Sequence, residues 1–377
     1  MVSGAGPAAG GGAPAPVGEI GVVLPQRETF GLKKSGAVAL CARDFAAYSR
    51  FSGSITIFGA AECEYPEVRY QRLVDWRRWW LRNRTAYVRA VIRFAKARRL
   101  AVLEAQNRPQ CVAALRKALP DVRLALHLHN DPQTMQGARA PAERRKLLER
   151  LDAVYCVSAF VRERFLEGVA DEAGKTIVVH NGVAASESAA VKTPIVAYVG
   201  RVIRDKGVVE LTRAFAAAAS DLPGWRLVIA GGDAEALFVG PRAALARERD
   251  ALGEKLTLLG QVSHAEAMDL LARAEIAAVP SIWREPFGRT AIEAMGRGCA
   301  LIATREGALA EVVGDAGLYV DARDVAAFAA TLRRLAADAA LRRALQARAL
   351  ARAREVFDIR RTTAVLDAAR ARLLGCA

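Results

Sequence analysis

Short apolar runs alternate with helix-favouring stretches along most of this 377-residue chain. A short apolar run bounded by turn residues is typical of a buried strand. Because strands that alternate with helices form parallel sheets covered on both faces, the pattern predicts an α/β protein with ligands at the carboxyl ends of its strands. The runs are Glu19–Leu24, Ser54–Phe58, Ala101–Leu103, Val122–His127, Ala153–Val157 and Thr176–Val179, then Ile195–Val199, Trp225–Ile229, Leu256–Leu259, Ile276–Val279, Ala300–Ile302 and Gly317–Val320.

The two series of runs predict two domains. The segment Ala184–Thr193 between them is small, polar and unpatterned, as a domain join is. We expect a disordered tail over residues 1–17, an N-terminal domain over 18–188 and a C-terminal domain over 189–355. A final helix, over residues 356–377, could pack back on the first domain. The tail lacks a basic region and an apolar region, so it is not expected to be a signal peptide.

The composition limits the class of protein. Hydrophobic residues make up 53% of the chain and charged residues 25%, which excludes a wholly disordered chain, a collagen and a coiled coil. No run approaches the ~18 apolar residues of a membrane-spanning helix. The six cysteines form no CxxC pair and the four histidines show no metal-ligand spacing. We therefore expect a cytoplasmic protein without a bound metal.

Two basic residues flank a turn after the first strand of the second series. Gly200-Arg201 closes that strand, and Lys206-Gly207 precedes a helical stretch. Glycine lets a ligand approach the backbone, the arginine fork can hold two phosphate oxygens, and lysine adds a compact charge. The segment fits a diphosphate, but a strand-to-helix turn with two solvated basic residues fits it equally well.

A later segment combines chain-breaking residues with two carboxylates. Pro286 and Gly288 follow a predicted strand, and a helix is predicted from about Arg289. The N–H groups at the start of a helix favour phosphate. The carboxylates of Glu285 and Glu293 can accept hydrogen bonds from the hydroxyls of a sugar or ribose. The segment therefore predicts one side of a nucleotide-sugar site.

Together these segments resemble the retaining glycosyltransferases of family 4, which have the GT-B fold: two Rossmann-like parallel-sheet domains that face each other across a cleft. The resemblance covers most of the chain from Glu19 and is strongest in the second half. The motifs that support it are Gly200-Arg201, Lys206-Gly207, Glu285-x7-Glu293 with Phe287-Gly288, and Gly307 through Glu311-Val312-Val313, together with Val157-Ser158 and His180-Asn181-Gly182-Val183 in the first half.

The resemblance implies roles for residues of the second domain. Arg201 and Lys206 would hold the diphosphate of the donor and assist its departure. Glu293 would bind the ribose. Glu285 would act at the transferred sugar, with donor-binding contacts from Gly200, Phe287 and Gly288. No cofactor or metal is implied, and the nucleotide-diphosphate sugar is a substrate.

The first domain would supply the acceptor side. His127 and His129 lie near the end of one predicted strand and, by its alternation, on the same side. In the family a histidine here contacts the sugar at the reacting centre, and we assign this catalytic role to His129. The remaining candidates for the acceptor side are Gly36, in a loop after the first strand, His127, and Glu104, Asn107 and Arg108, at a further strand end.

The segment Val68–Arg99 contains eleven Arg or Lys residues and one acidic residue, Asp75. Its own net charge is therefore about two thirds of the net charge of +15 of the whole chain. Over residues 75–99, aromatic and apolar residues recur at helical spacing, which predicts an amphipathic helix. We hypothesise a peripheral contact with anionic lipid on the inner face of the cell membrane. A core-packed helix with a solvated basic face fits equally well. RNA binding is the weaker interpretation because no recognition module is present, so we expect no nucleic-acid partner.

The sequence thus predicts a retaining, metal-independent glycosyltransferase of polysaccharide or lipopolysaccharide type, which moves a sugar to a glycan or lipid-linked acceptor. Two alternatives remain open. One is another GT-B enzyme, such as a phosphorylase or epimerase, because one fold hosts several activities. The other is a sugar-nucleotide-binding protein without turnover.

Overall fold

The computed structural model describes residues 18–32, 35–73, 84–185, 190–232 and 241–376. Two parallel sheets, one of seven strands and one of six, each lie between helices. This arrangement confirms the predicted α/β class with two Rossmann-like domains. The predicted tail, residues 1–17, lies outside the described residues.

The first sheet has the strand order β3-β2-β1-β4-β5-β6-β7. Every strand pair in it is parallel. Strands β1, β2, β4 and β6 are buried along their whole length, as apolar runs between two helical layers must be. The strands are β1 (Ile20–Val23), β2 (Ile55–Gly59), β3 (Tyr70–Arg72), β4 (Val102–Gln106), β5 (Arg123–Leu128), β6 (Ala153–Cys156) and β7 (Thr176–Val178).

Six of these strands coincide with predicted runs, whereas β3 was not predicted. It is three residues long, half-exposed and at the edge of the sheet. Its residues are polar or amphipathic because only one side of the strand is paired, so no apolar run marks it. The helices of this domain are α1 (Ala37–Ala47), α2 (Arg84–Arg98), α3 (Val112–Ala118), α4 (Pro141–Arg150) and α5 (Ala159–Leu166).

The second sheet is also parallel, and its strand order is β10-β9-β8-β11-β12-β13. All six of its strands coincide with predicted runs. They are β8 (Thr193–Val199), β9 (Arg226–Ala230), β10 (Leu256–Gly260), β11 (Ala274–Val279), β12 (Ala300–Ala303) and β13 (Gly317–Tyr319). The helices are α6 (Val208–Ala218), α7 (Pro241–Leu252), α8 (His264–Arg273), α9 (Arg289–Gly296), α10 (Leu309–Val313), α11 (Val325–Ala337), α12 (Ala339–Glu355) and α13 (Ile359–Leu374).

The chain passes twice between the domains, and the two passages are hydrogen-bonded to each other. The N–H of Val183 donates to Phe357 O at 2.8 Å, and the N–H of Ile359 donates to Val183 O at 3.1 Å. The segment that leaves the first domain and the segment that returns to it therefore lie side by side at Val183. Beyond it, α13 lies against α1 and β4 of the first domain.

A buried ion pair anchors α13 to the first sheet. Arg370 binds both oxygens of Glu104, with Nε–Oε1 at 2.8 Å and Nη2–Oε2 at 2.9 Å, and both side chains are 1% exposed. Asp367 accepts from the hydroxyl of Ser49 at 2.6 Å and from the N–H of Arg50 at 2.8 Å. Both oxygens of Glu104 are therefore engaged by a buried guanidinium and are not available to an acceptor, so its predicted place on the acceptor side is wrong.

Replacing Arg370 should destabilise the protein strongly, because Glu104 and Asp367 would remain as buried, uncompensated carboxylates. We expect Arg370→Ala to lower the free energy of unfolding by about 3–5 kcal/mol, measured by urea denaturation. Arg333→Ala is the control, since its pair with Asp221 is 39% and 57% exposed and should contribute less than about 1 kcal/mol. Equal losses in the two variants would contradict the anchoring role of Arg370.

Candidate active site

A cavity of about 360 Å³ lies between the domains, at the carboxyl ends of strands from both sheets. Open parallel sheets bind ligands at this edge. The first domain contributes the start of α1 and the segment after β5. The second contributes the turn after β8 and the segment from β11 into α9. The predicted residues that line the cavity are His129, Gly200, Arg201, Lys206, Glu285, Phe287 and Gly288.

Two cations of the second domain line the cavity, and they differ in exposure and in hydrogen bonding. Arg201 is exposed, and its guanidinium has no hydrogen-bond partner within the described ranges. Lys206 is mostly buried and its ammonium is bonded to Glu285, which also accepts from the hydroxyl of Ser281. The Lys206 ammonium also lies 5.1 Å from the ring centroid of Trp283. One cation is thus free to meet an anion and the other is held in place.

Glycine is required where the turn enters α6. Gly207 has φ of +66°, and a Cβ there would lie 1.9 Å from the carbonyl oxygen of Pro280. A side chain would therefore displace either the turn or the segment after β11. This close contact keeps the turn that carries Lys206 against the segment that leads from β11 to Glu285.

Helix α9 starts at the cavity without a side-chain cap. Its N-cap is Gly288, with φ of +89°, and a Cβ there would lie 2.5 Å from Cδ2 of Leu309. The N–H groups of Arg289 and Thr290 have no backbone partner among the described residues, and both residues line the cavity. Uncapped N–H groups and the positive end of the helix dipole form a site for an anion.

Arg289 links this helix to the other domain. Its Nε donates to Glu293 Oε1 at 2.7 Å, its Nη2 donates to Asp44 at 2.8 Å, and its Nη1 lies 3.1 Å from Cys41 Sγ. Asp44 and Cys41 belong to α1 of the first domain. Cys41 is buried, and burial raises the pKa of its thiol to about 11, so it is not a nucleophile at neutral pH.

Glu293 is not among the residues that line the cavity, although it lies one helical turn after Arg289, which does. Its Oε1 accepts from Arg289 and from His264 Nε2, the latter at 3.0 Å, and its side chain is 8% exposed. Burial opposes ionisation, but the charge of Arg289 and the hydrogen bond from His264 outweigh it and lower the pKa of Glu293 to about 2. Its Oε2 has no hydrogen-bond partner within the described ranges.

His129 is the first-domain residue that faces these groups. Its Nε2 lies 2.7 Å from Oε1 of Gln106, and its ring stacks on His127 with centroids 4.3 Å apart. Burial and the nearby charge of Arg289 lower the pKa of His129 to about 3. His129 is therefore neutral at physiological pH and can act as a hydrogen-bond partner but not as a proton donor of ordinary histidine acidity.

The other candidates for the acceptor side differ in burial and in the contacts that they make. His127 is 1% exposed and lies behind His129, where it supports the ring and faces no ligand. Asn107, with φ of +54°, accepts the N–H of His129 on Oδ1 at 2.8 Å. Arg108 lines neighbouring cavities. Gly36 caps α1, and a Cβ there would lie 1.8 Å from Oε1 of Glu28, so it serves the approach of Glu28.

Sequence reasoning missed three residues of this site. Asn181 lines the cavity and its Oδ1 is buried without a partner within the described ranges. Ser281 binds Glu285, and Arg289 joins the domains. Only Arg289 had a local signal: a cation in the first turn opposes the helix dipole and therefore needs a compensating partner. Within the described ranges no three His, Cys, Asp or Glu side chains form a metal-ligand cluster.

The fold is of the GT-B class, and comparison with known proteins identifies the family. The model described as "Glycosyltransferase Family 4" matches residues 54–187, and "Glycosyl transferases group 1" matches residues 183–352. The two matches are consecutive and together span most of the chain. The chain belongs to this family of glycosyltransferases, as the motifs predicted.

Relatives agree with this assignment. Glycogen synthase of Mycobacterium tuberculosis is 32% identical over 202 residues, which are 52% of this chain and 48% of that protein. The chain thus spans about half the length of this relative. Sucrose-phosphate synthase from Thermosynechococcus elongatus has a TM-score of 0.75 at 20% identity, over 96% of this chain and all of that one. Anabaena HepE in complex with UDP and glucose has a TM-score of 0.74 at 18% identity, over 94% of this chain and all of that one. These two structures show the fold alone.

The neutral histidines should make the protein sensitive to mild acid. The unfolded chain binds a proton at His129 near pH 6.5 and the folded protein only near pH 3, so the free energy of unfolding falls as the pH is lowered through this window. We expect His129 to account for a loss of about 2 kcal/mol between pH 7 and pH 5. Urea unfolding at both pH values should show a smaller loss in His129→Asn. The same pH dependence in variant and wild type would contradict the lowered pKa.

Proposed function

We propose that this protein is a retaining, metal-independent glycosyltransferase that moves a sugar from a nucleotide-diphosphate sugar to a glycan or lipid-linked acceptor. One observation supports this most directly. One cavity is lined by Arg201, whose guanidinium has no partner among the described residues, by Lys206 and by the first residues of α9, with His129 of the first domain lining the other side. Such a cavity suits a diphosphate whose sugar points toward the first domain.

The chemistry of transfer needs positive charge at this place. The acceptor oxygen forms a bond to the anomeric carbon, while the bond from that carbon to the diphosphate oxygen breaks and its electron pair stays on the leaving group. Preplaced cations and helix N–H groups stabilise this growing charge more than they stabilise the intact donor. The acceptor proton passes to the leaving phosphate on the same face of the sugar, so the configuration is retained.

The carboxylates receive separate roles in this proposal. Glu285, fixed by Lys206 and Ser281, would accept hydrogen bonds from hydroxyls of the transferred sugar, with Phe287 and Gly288 beside it. Glu293 would accept a ribose hydroxyl on Oε2, because its Oε1 is already taken by Arg289 and His264. The complex of HepE with UDP and glucose supports a uridine nucleotide as the first donor base to test.

A donor panel with Arg201→Ala tests the function. Wild type should release nucleoside diphosphate from one of the UDP-, GDP- or ADP-sugars, equally with and without EDTA. Loss of the Arg201 charge should lower the rate roughly 10²-fold, or about 3 kcal/mol of barrier. The thermal midpoint should hardly change, because Arg201 is exposed and its guanidinium has no partner among the described residues.

Arg204→Ala is the matched control, since Arg204 is an exposed arginine three residues away that does not line the cavity. Its rate should equal that of wild type. Donor binding without release of nucleoside diphosphate under any acceptor condition would favour the binding-protein alternative. Release of a sugar phosphate would favour a phosphorylase, and a rearranged donor would favour an epimerase. Inactivation by EDTA would contradict metal independence.

We further propose that the basic face of α2 contacts an anionic membrane surface. Among the described residues, no helix combines the length and apolar character needed to cross a bilayer. Tyr87 and Val91 of α2 are buried in the core, so the described part of the helix offers charge and no apolar face. Its exposed cations are Arg89, Arg93, Lys96 and Arg98. The three tryptophans at 76, 79 and 80 lie outside the described residues.

Flotation with liposomes tests this contact. We expect more protein to float with anionic than with neutral vesicles, and less at high salt, because attraction between exposed charges is screened. Arg89→Glu combined with Arg93→Glu should lower recovery with anionic vesicles and leave donor turnover unchanged. Equal recovery with both vesicle types would count against membrane contact.

A further inference from the structure

Three neighbouring cavities share lining residues in this protein. The donor cavity shares Val38 and Asn130 with a smaller cavity of about 240 Å³. That middle cavity shares Arg108 and Gln110 with a third cavity of about 410 Å³ in the first domain. The third cavity is therefore separated from the donor cavity by one small cavity, which is lined by Asn130, the residue next to His129.

The third cavity has an apolar wall and a rim that carries positive charge. Its apolar wall includes Val23, Val88 and Leu115, from β1, α2 and α3. Its rim carries two guanidiniums, those of Arg27 after β1 and Arg108 after β4. Side-chain amides also line it, and the described lining contains no carboxylate. Because the side-chain amides can accept hydroxyl protons as well as donate, the feature that favours an anionic group over a neutral sugar is the positive charge of the rim.

The two arginines are available for a ligand. Neither guanidinium has a hydrogen-bond or ion-pair partner within the described ranges, and Arg27 is exposed. The carboxylate of Glu28 lines the middle cavity and is close enough for the charge of Arg108 to lower its pKa, although burial raises that pKa overall. Its Oε1 accepts from the N–H of Ala39 at the start of α1, at 3.3 Å, so it forms no hydrogen-bonded pair with Arg108 among the described residues. Two guanidiniums can balance the two negative charges of a phosphate monoester, and each arginine fork can bind two of its oxygens.

Backbone geometry couples this rim to the reacting side. Asn107, directly before Arg108, has a left-handed conformation that is uncommon for a residue other than glycine. Its side chain accepts the backbone N–H of His129 at 2.8 Å. The position of Arg108 is thus fixed relative to the segment that enters the donor cavity.

We propose that the third cavity binds the phosphate group of a phosphorylated acceptor through Arg27 and Arg108, so that a hydroxyl of the same molecule reaches the sugar donor beside His129. The proposal rests on the proposed function for the reaction, but the phosphate site itself does not. A water-soluble sugar phosphate and a lipid phosphate present the same group. The apolar wall would contact the carbon skeleton next to the phosphate in either case.

Binding of phosphate esters tests the site without requiring turnover. Ligand-observed NMR with glucose 6-phosphate, octyl phosphate and unphosphorylated glucose compares the two sources with a neutral sugar. Wild type should bind at least one phosphate ester more tightly than glucose. The double variant Arg27→Glu, Arg108→Glu should weaken this binding at least tenfold, while Lys206→Ala should retain it, because Lys206 belongs to the donor cavity.

The variant Arg343→Glu, Arg348→Glu is the matched control. It makes the same change of charge on exposed positions of α12 that line none of the three cavities, and it should bind like wild type. Loss of binding in Lys206→Ala but not in the double variant would place the phosphate in the donor cavity and overturn the proposal. Failure of both esters to bind more tightly than glucose would also overturn it.

Turnover separates this proposal from the proposed function. If wild type cleaves a nucleotide sugar, the double variant should show at least a tenfold higher KM for the phosphorylated acceptor, while the Arg343→Glu, Arg348→Glu control should keep the KM of wild type. Phosphate-ester binding that depends on Arg27 and Arg108, without cleavage of any donor, would leave the site in place and refute the transferase. Neutral and phosphorylated acceptors used equally well would refute the site alone.

Discussion

The guanidinium of Arg289 connects the two halves of the site, and the arrangement of the cavity depends on it. It bonds Glu293 within its own helix and Asp44 in the first domain, at 2.7 and 2.8 Å. A charge this deeply placed is tolerated only because carboxylates from both domains neutralise it. Removing either carboxylate would therefore affect the fold, the spacing of the domains and the floor of the donor cavity together.

A second bridge holds the domains on the other side of the cleft. Glu311 accepts the N–H groups of Ala159 and Phe160 at the start of α5, at 2.9 and 3.2 Å, and its Oε1 lies 2.8 Å from His180 Nε2. The hydroxyl of Ser158 donates to the carbonyl of Pro286 at 2.6 Å. Both bridges join a helix of one domain to the segment around α9 or α10 of the other. These contacts therefore hold the two domains against each other beside the cavity that both of them line.

Local patterns in the sequence were sufficient for the fold and for seven of the predicted residues that line the cavity between the domains. Strands buried between helices need uninterrupted apolar runs, so all six strands of the second sheet could be predicted, whereas the edge strand Tyr70–Arg72 could not. The cations and glycines near 200 and 288 lie within short motifs. The partner of Glu104 could not be found in this way, because Arg370 lies 266 residues away and only the returning helix brings it there. Arg27 was missed for a related reason, since an arginine in a loop gives no local sign of the cavity that it borders.

The ion pair between Lys206 and Glu285 determines how strongly Lys206, compared with Arg201, would attract the diphosphate of a donor. In this structure the charge of Lys206 is compensated by a carboxylate whose side chain is 8% exposed. In the proposed donor complex a diphosphate would join this pair as a third member, and repulsion from Glu285 would reduce its attraction to Lys206. Arg201 has no such partner among the described residues, so it offers its full charge. The repulsion between Glu285 and the diphosphate would be smaller if the carboxylate accepted hydrogen bonds from hydroxyls of the transferred sugar. The bound sugar would then strengthen the attraction between Lys206 and the phosphates. Donor recognition and stabilisation of the leaving group would in that way depend on each other, through one carboxylate placed between them.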